Sequence, residues 1–285
     1  MMVEQRALHF ECASCQLIGI LSLPIWQPSQ PSQSAPRGVL IVTGGPQYRA
    51  GSHRQFALLA GELAANGIPV MRFDYRGMGD SEGEARTFEQ VEQDLTAAIQ
   101  QFFAAVPALK ELVIWGLCDG ATAAAYHCVN DNRICALILL NPWVRTGAGI
   151  ARTTLRHYYL KRLLDPAFWR KLASGRFKPG PAARSLHLLS NAAWSAGTAL
   201  DASAPPQRML AALQRFRGRI LIILSGDDLT ASEFLDLQRH SSAWRTLLAA
   251  PSVQQLTLAG ANHTFSRRIW RDEVARICTH WLASW

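Results

Sequence analysis

Apolar positions along the chain follow two rhythms. Residues 6–25 alternate polar and apolar around Cys12–Gln16, the pattern of an antiparallel hairpin with one covered face. Continuous apolar runs then recur at Gly38–Gly45, Ile68–Tyr75, Glu111–Leu117, Ile134–Trp143, Arg219–Ser225 and Val253–Leu258. Short runs of Val, Ile and Leu closed by glycine or polar residues predict strands buried on both faces. Between them, Phe56–Asn66, Thr87–Val106, Ala231–Leu248 and Ser266–Trp281 show helical spacing, and Asp119–Val129 is a small-residue helix. Gly67 is a stop for the first of these helices, and Glu89 lies in the first turn of the second. Gln27–Pro36, rich in Pro and Ser, carries no periodic pattern and predicts a loop. Strand–helix repetition of this kind specifies an α/β fold: a mostly parallel sheet with helices on both faces.

The repetition pauses at Arg145. Residues 145–217 carry Leu, Tyr, Trp and Arg in helix-like patches, interrupted at Pro166, Gly175, Pro179–Pro181 and Pro205–Pro206. This predicts a helical cap inserted into a core made of residues 1–144 and 218–285. The formal net charge is +8, and it is uneven. The insertion holds 13 Lys and Arg against two acids, Asp165 and Asp201, which leaves the core at −3. Positive charge confined to one segment, with no recognisable nucleic-acid module, argues against nucleic-acid binding and for a local anion-attracting surface. Arg145, Arg152, Arg156, Lys161 and Arg162, interleaved with Leu155, Tyr158, Tyr159, Leu160 and Leu163, could lie on an anionic membrane surface or form a solvated basic face.

No stretch approaches the ~18 apolar residues of a membrane span. The first fifteen residues lack a basic start followed by an apolar run, so the chain reads as cytoplasmic, with peripheral contact at an inner membrane as the variant. Six cysteines in a chain of this kind do not predict disulfides. Cys12 and Cys15 lack a second ligand pair for zinc and read as turn residues, while Cys128, Cys135 and Cys278 read as small core residues. Nothing in the sequence calls for a metal or organic cofactor.

Cys118 is different. Gly116-Leu117-Cys118-Asp119-Gly120 follows a β-rich run and precedes an Ala-rich helix, the context of a nucleophile elbow. The sharp turn demands small residues two before and two after the nucleophile, and Gly116 and Gly120 meet that demand. Helix N-terminal N–H groups there favour a thiolate and a developing oxyanion. In this architecture the acid and then the histidine come later in the chain. Gly226-Asp227-Asp228 follows one late strand, and His263 follows the last. Asp228 is the preferred acid and Asp227 the alternative. The oxyanion hole is expected from the N–H groups of Gly45, in Thr43-Gly44-Gly45-Pro46, and of Asp119.

The segment Asp74-Tyr75-Arg76-Gly77-Met78-Gly79-Asp80-Ser81 resembles the D-x-R-G-x-G-x-S loop of the α/β-hydrolase superfamily. Together with the elbow, the Gly-Asp-Asp turn, the late His and the cap, the resemblance spans nearly the whole chain. More narrowly, residues 116–121, the run from Gly44 to His53, and Ser225-Gly-Asp-Asp-Leu-Thr-Ala look like the first type of exosortase A system-associated hydrolase. That group accompanies exopolysaccharide and protein-sorting loci in Gram-negative bacteria. The resemblance implies an α/β-hydrolase fold and a hydrolase-like site, not a substrate. The chain departs from the superfamily at two places. Cys118 stands where Ser is common, as in dienelactone hydrolases, and Thr43 stands where a His usually precedes the oxyanion glycine.

A thiolate attacks well at neutral pH. The expected reaction is hydrolysis of an ester or thioester by Cys118, His263 and Asp228, on a small-molecule, lipid or glycan acyl substrate of anionic character. An acyltransferase acting on a glycan or lipid with the same residues, and a non-catalytic scaffold of a polysaccharide-assembly system, are the alternatives.

Overall fold

The computed structural model describes residues 2–25, 37–45, 47–144 and 204–285. Strands β1 (Met2–Cys12) and β2 (Cys15–Ile25) form the expected hairpin, with Cys12 directly opposite Cys15. Ala13 and Ser14 between them both take positive φ, 48° and 61°, matching the tight two-residue turn that a right-twisted ribbon prefers. The two cysteines therefore flank a turn, and both are free thiols.

The remaining strands are β3 (Arg37–Val42), β4 (Val70–Phe73), β5 (Glu111–Leu117), β6 (Ile134–Leu140), β7 (Arg219–Ser225) and β8 (Val253–Leu258). The eight strands run in the order β1-β2-β4-β3-β5-β6-β7-β8, and every pairing from β4 onward is parallel. The side-chain alternation of a strand explains why continuous apolar runs were needed. Leu40 and Val42 face one apolar layer with Met71, Leu95 and Phe102, while Val39 and Ile41 face the other with Phe56, Trp115 and Ile138.

Helices α1 (Gln55–Ala65), α2 (Glu92–Ala105), α3 (Asp119–His127), α4 (Pro205–Arg215), α5 (Leu229–His240), α6 (Ser242–Leu248) and α7 (Arg268–Ala283) cover the sheet. Three differ from the pattern reading. Residues 87–90 form a turn, closed by Gln90 N–H to Thr87 O, so α2 starts later than the apolar spacing suggested. The single helix expected over 231–248 is two, because Ser241 is extended and its hydroxyl caps α6 through the Trp244 N–H. Pro205 and Pro206, read as a break, open α4, where the missing N–H costs nothing.

Of the expected cap, residues 145–203 lie outside the described residues. Its last part is α4, which packs on α3 and buries Met209 and Leu213 in the same apolar layer as Phe102. An amphipathic helix seated on α3 thus closes the expected insertion against the sheet-covering layer. No helix among the described residues is long and apolar enough to cross a membrane.

Candidate active site

Parallel register carries the chemistry to one edge. Val42 lies beside Gly116 and Leu117 beside Leu140, so β3, β5 and β6 end together, followed by β7 and β8. The loops after these strands carry every residue singled out for catalysis.

Cys118 sits between β5 and α3 with φ 59° and ψ −124°. A non-glycine residue held there is strained, and strain at such a position exposes the side chain at the turn. Both flanking glycines are required by backbone contact. A Cβ on Gly116 would lie 2.5 Å from Gly120 O, and one on Gly120 would lie 2.7 Å from Val42 O. Cys118 N–H donates to Leu140 O at 2.9 Å, which fixes the turn to β6.

Asp228 ends the loop after β7 as the N-cap of α5, its Oδ2 accepting the Ala231 N–H at 3.0 Å. The same oxygen lies 3.0 Å from His263 Nδ1. Asp227 is exposed, and its N–H donates to Ala261 O at 2.9 Å, tying the β7 loop to the β8 loop. Gly226 lets these loops touch, since a Cβ there would lie 2.8 Å from Gly260 N. Asp228, the preferred acid, is thus in contact with His263.

The electrostatics follow from these contacts. The hydrogen bond to Asp228 first, and the neighbouring Cys118 thiol second, push His263 up to about 10 against the opposing effect of burial. Burial works against charge on Asp228 too. The hydrogen bond and charge of His263 and the N–H groups of Ala231 and Thr230 outweigh it and hold the carboxyl below its ordinary value.

Asn141 was not singled out from sequence. It is fully buried at the end of β6 with φ 43°. Its Nδ2 donates to Ser225 Oγ at 2.8 Å and to His263 O at 3.0 Å, and its Oδ1 accepts the Ser225 N–H at 2.8 Å. Ser225 Oγ donates in turn to Asn262 O at 2.8 Å. One side chain thus pins the histidine loop to the ends of β6 and β7. The available signal was an Asn directly after a strand, a residue that tolerates the left-handed region.

One of the expected oxyanion donors already has a partner. Gly45 N–H is engaged, donating to Asp119 Oδ1 at 2.6 Å, and the same oxygen accepts the Gly120 N–H at 3.0 Å. Burial raises the Asp119 carboxyl above its ordinary value, and these two N–H groups pull it back down. The carboxylate fits because Gly44 has no Cβ; one placed there would lie 2.4 Å from Oδ1.

The Asp74–Ser81 loop supports this edge without joining it. Asp74 is fully buried and pairs with Arg49, which also pairs with Asp80 at 2.6 Å. Arg72 Nη1 donates to Arg49 O at 2.9 Å. The segment following Gly44 and Gly45 is therefore anchored to β4. Among the described residues, no cluster of three or more His, Cys, Asp or Glu is arranged to hold a metal ion.

Residues 34–233 match the model of the Hydrolase_4 family, described as serine aminopeptidase, S33. No curated protein matches the chain in sequence. Among solved structures, an esterase of Pyrococcus furiosus is similar at TM-score 0.65 and 16% identity, over 99% of this chain and 91% of that one. Est1E of Butyrivibrio proteoclasticus, solved with ferulic acid bound, is similar at TM-score 0.63 and 15% identity, over 97% and 98%. A proline iminopeptidase of Mycobacterium smegmatis is similar at TM-score 0.59 and 14% identity, over 98% of each chain. At such identities the likeness establishes the fold, that of the α/β-hydrolases.

Proposed function

The chain belongs to the Hydrolase_4 family of α/β-hydrolases, and from that premise we propose that it is an acyl hydrolase whose nucleophile is Cys118 rather than a serine. One observation carries the reading. A cysteine held at a strained strand-to-helix turn neighbours a histidine whose other side is fixed by a buried carboxylate.

The steps follow from those roles. His263 takes the Cys118 proton, and the sulfur attacks the carbonyl carbon of an ester or thioester. The hydrogen bond to Asp228 stabilises the imidazolium so formed, in keeping with its raised pKa. Collapse of the tetrahedral adduct breaks the bond to the leaving group, which receives the proton from His263 and departs as alcohol or thiol. Water then gives a proton to His263 and attacks the thioester. The carbon–sulfur bond breaks, the acid leaves, and the proton returns to Cys118.

Esters and thioesters suit a sulfur nucleophile better than amides do. The basic composition of residues 145–217 favours an anionic acyl donor. The sequence runs resembling exosortase A system-associated hydrolases favour a role beside exopolysaccharide assembly. A screen of p-nitrophenyl esters, acyl-CoA thioesters and aminoacyl amides on the wild type and Cys118→Ala tests the proposal. Ester or thioester turnover should be lost in Cys118→Ala. Turnover that survives the substitution, or a preference for aminoacyl amides, overturns it.

A further inference from the structure

The Asp119 side chain answers a demand that the proposed chemistry does not make. It follows the nucleophile directly, and its carboxylate reaches from the first turn of α3 to the loop after β3. There one oxygen collects two N–H donors, from Gly45 at 2.6 Å and Gly120 at 3.0 Å. Of these two donors, the Gly45 N–H is also one that the developing oxyanion of an acyl transfer would need. Gly44 makes room for that oxygen, since a Cβ there would lie 2.4 Å from it.

We propose that Asp119 is a displaceable occupant of the oxyanion hole, and thereby a specificity-determining residue: an acyl oxygen must take the Gly45 N–H from it before Cys118 can be acylated. The inference rests on the reading of Cys118 as nucleophile. Its consequence is separable, because attack on a carbonyl needs the hole and alkylation of the same sulfur does not.

Protonation enters in a fixed direction. Among the described residues, the titratable groups that bear on Asp119 are Cys118 beside it, His263 from the loop after β8, and Tyr75 from the loop after β4, whose hydroxyl donates to Thr43 O at 2.9 Å. The positive charge of His263 favours the carboxylate form. A neutral carboxyl accepts more weakly from Gly45 and can itself donate to an oxyanion. Acidification should therefore loosen the occupant and favour acylation relative to alkylation.

The test compares two rates on the same cysteine in the full-length protein. The acylation burst with p-nitrophenyl acetate requires an oxyanion, whereas alkylation by iodoacetamide does not. In Asp119→Ala the ratio of acylation to alkylation at pH 7 should rise about tenfold or more, the value of one charge-assisted hydrogen bond. The wild-type ratio should increase as pH falls, and the variant's should not. Asp119→Asn, which keeps the side chain's size, should lie between the two and serves if the alanine variant does not fold. A ratio unchanged or lowered in both variants overturns the proposal and assigns Asp119 to holding the loop in shape. If neither wild type nor variant is acylated while both are alkylated, the ester reading of Cys118 falls, and the occupant with it.

Discussion

Asp228 shows how much one residue's position decides. It and Asp227 are chemically identical and adjacent, but the extended backbone of Asp228 (φ −144°, ψ 137°) makes it an N-cap whose carboxylate also reaches His263. The pKa shifts give the pair a pH signature. His263 is raised, so its contribution to stability is complete below its ordinary value of 6.5 and fades as pH climbs toward about 10. Asp228 is lowered, so its contribution holds above its ordinary value of 3.8 and is lost as pH drops through its folded value. The melting-temperature gap between wild type and Asp228→Asn should therefore be widest between 3.8 and 6.5 and narrow toward pH 10. Thermal unfolding followed by circular dichroism across that range checks this, and a constant gap contradicts it. Ester turnover in the variant should fall by about 10²–10⁴. At this scale the sequence displayed Cys118, His263 and Asp228, because strand ends and chain order locate them. It did not display the Asp119 carboxylate on Gly45 or the Asn141 network. Those bonds join residues 74, 84 and 122 positions apart, and no local pattern encodes such pairings.

Among the elements, strands were more legible than helix ends. A strand covered on both faces must be apolar throughout, so β3, β5, β6 and β7 stood out as runs of Val, Ile and Leu. Helix limits depend on capping by one or two polar groups, and this is where the reading slipped, at the turn over 87–90 and at Ser241. The loop after β8 illustrates how elements are tied into a site. Asn141→Ala would place alanine at φ 43° and leave Ser225 and the His263 carbonyl without their buried partner. The expected cost is about 2–3 kcal/mol from the lost bonds and the unfavourable backbone. Chemical denaturation measures it. Because His263 then loses its tether, ester turnover should fall while the far-ultraviolet spectrum of the folded protein is kept. Full activity in Asn141→Ala would remove Asn141 from the positioning of His263.

On the scale of the molecule, a single register organises function. The parallel strands β3, β5, β6, β7 and β8 deliver the Gly44-Gly45 loop, Cys118, Asn141, Asp228 and His263 to one edge of the sheet. The buried pair Arg76–Asp94, 2.9 Å apart, and the Arg49–Asp74 pair brace the surrounding loops. Alternation of strands and helices in the sequence was enough to specify this layered plan. The packing of α4 on α3 was not legible, because α4 carries basic residues on its outer face and reads as more of the same charge-rich stretch. The proposed chemistry requires a covalent thioester on Cys118. Its most direct measurement is peptide mass spectrometry of protein quenched in acid milliseconds after mixing with p-nitrophenyl acetate. An acetyl group should appear on the peptide containing Cys118, be released by neutral hydroxylamine, and form far more slowly in His263→Ala. Acetylation at another residue with Cys118 left bare, or acetylation of Cys118 at an undiminished rate without the histidine, would contradict it.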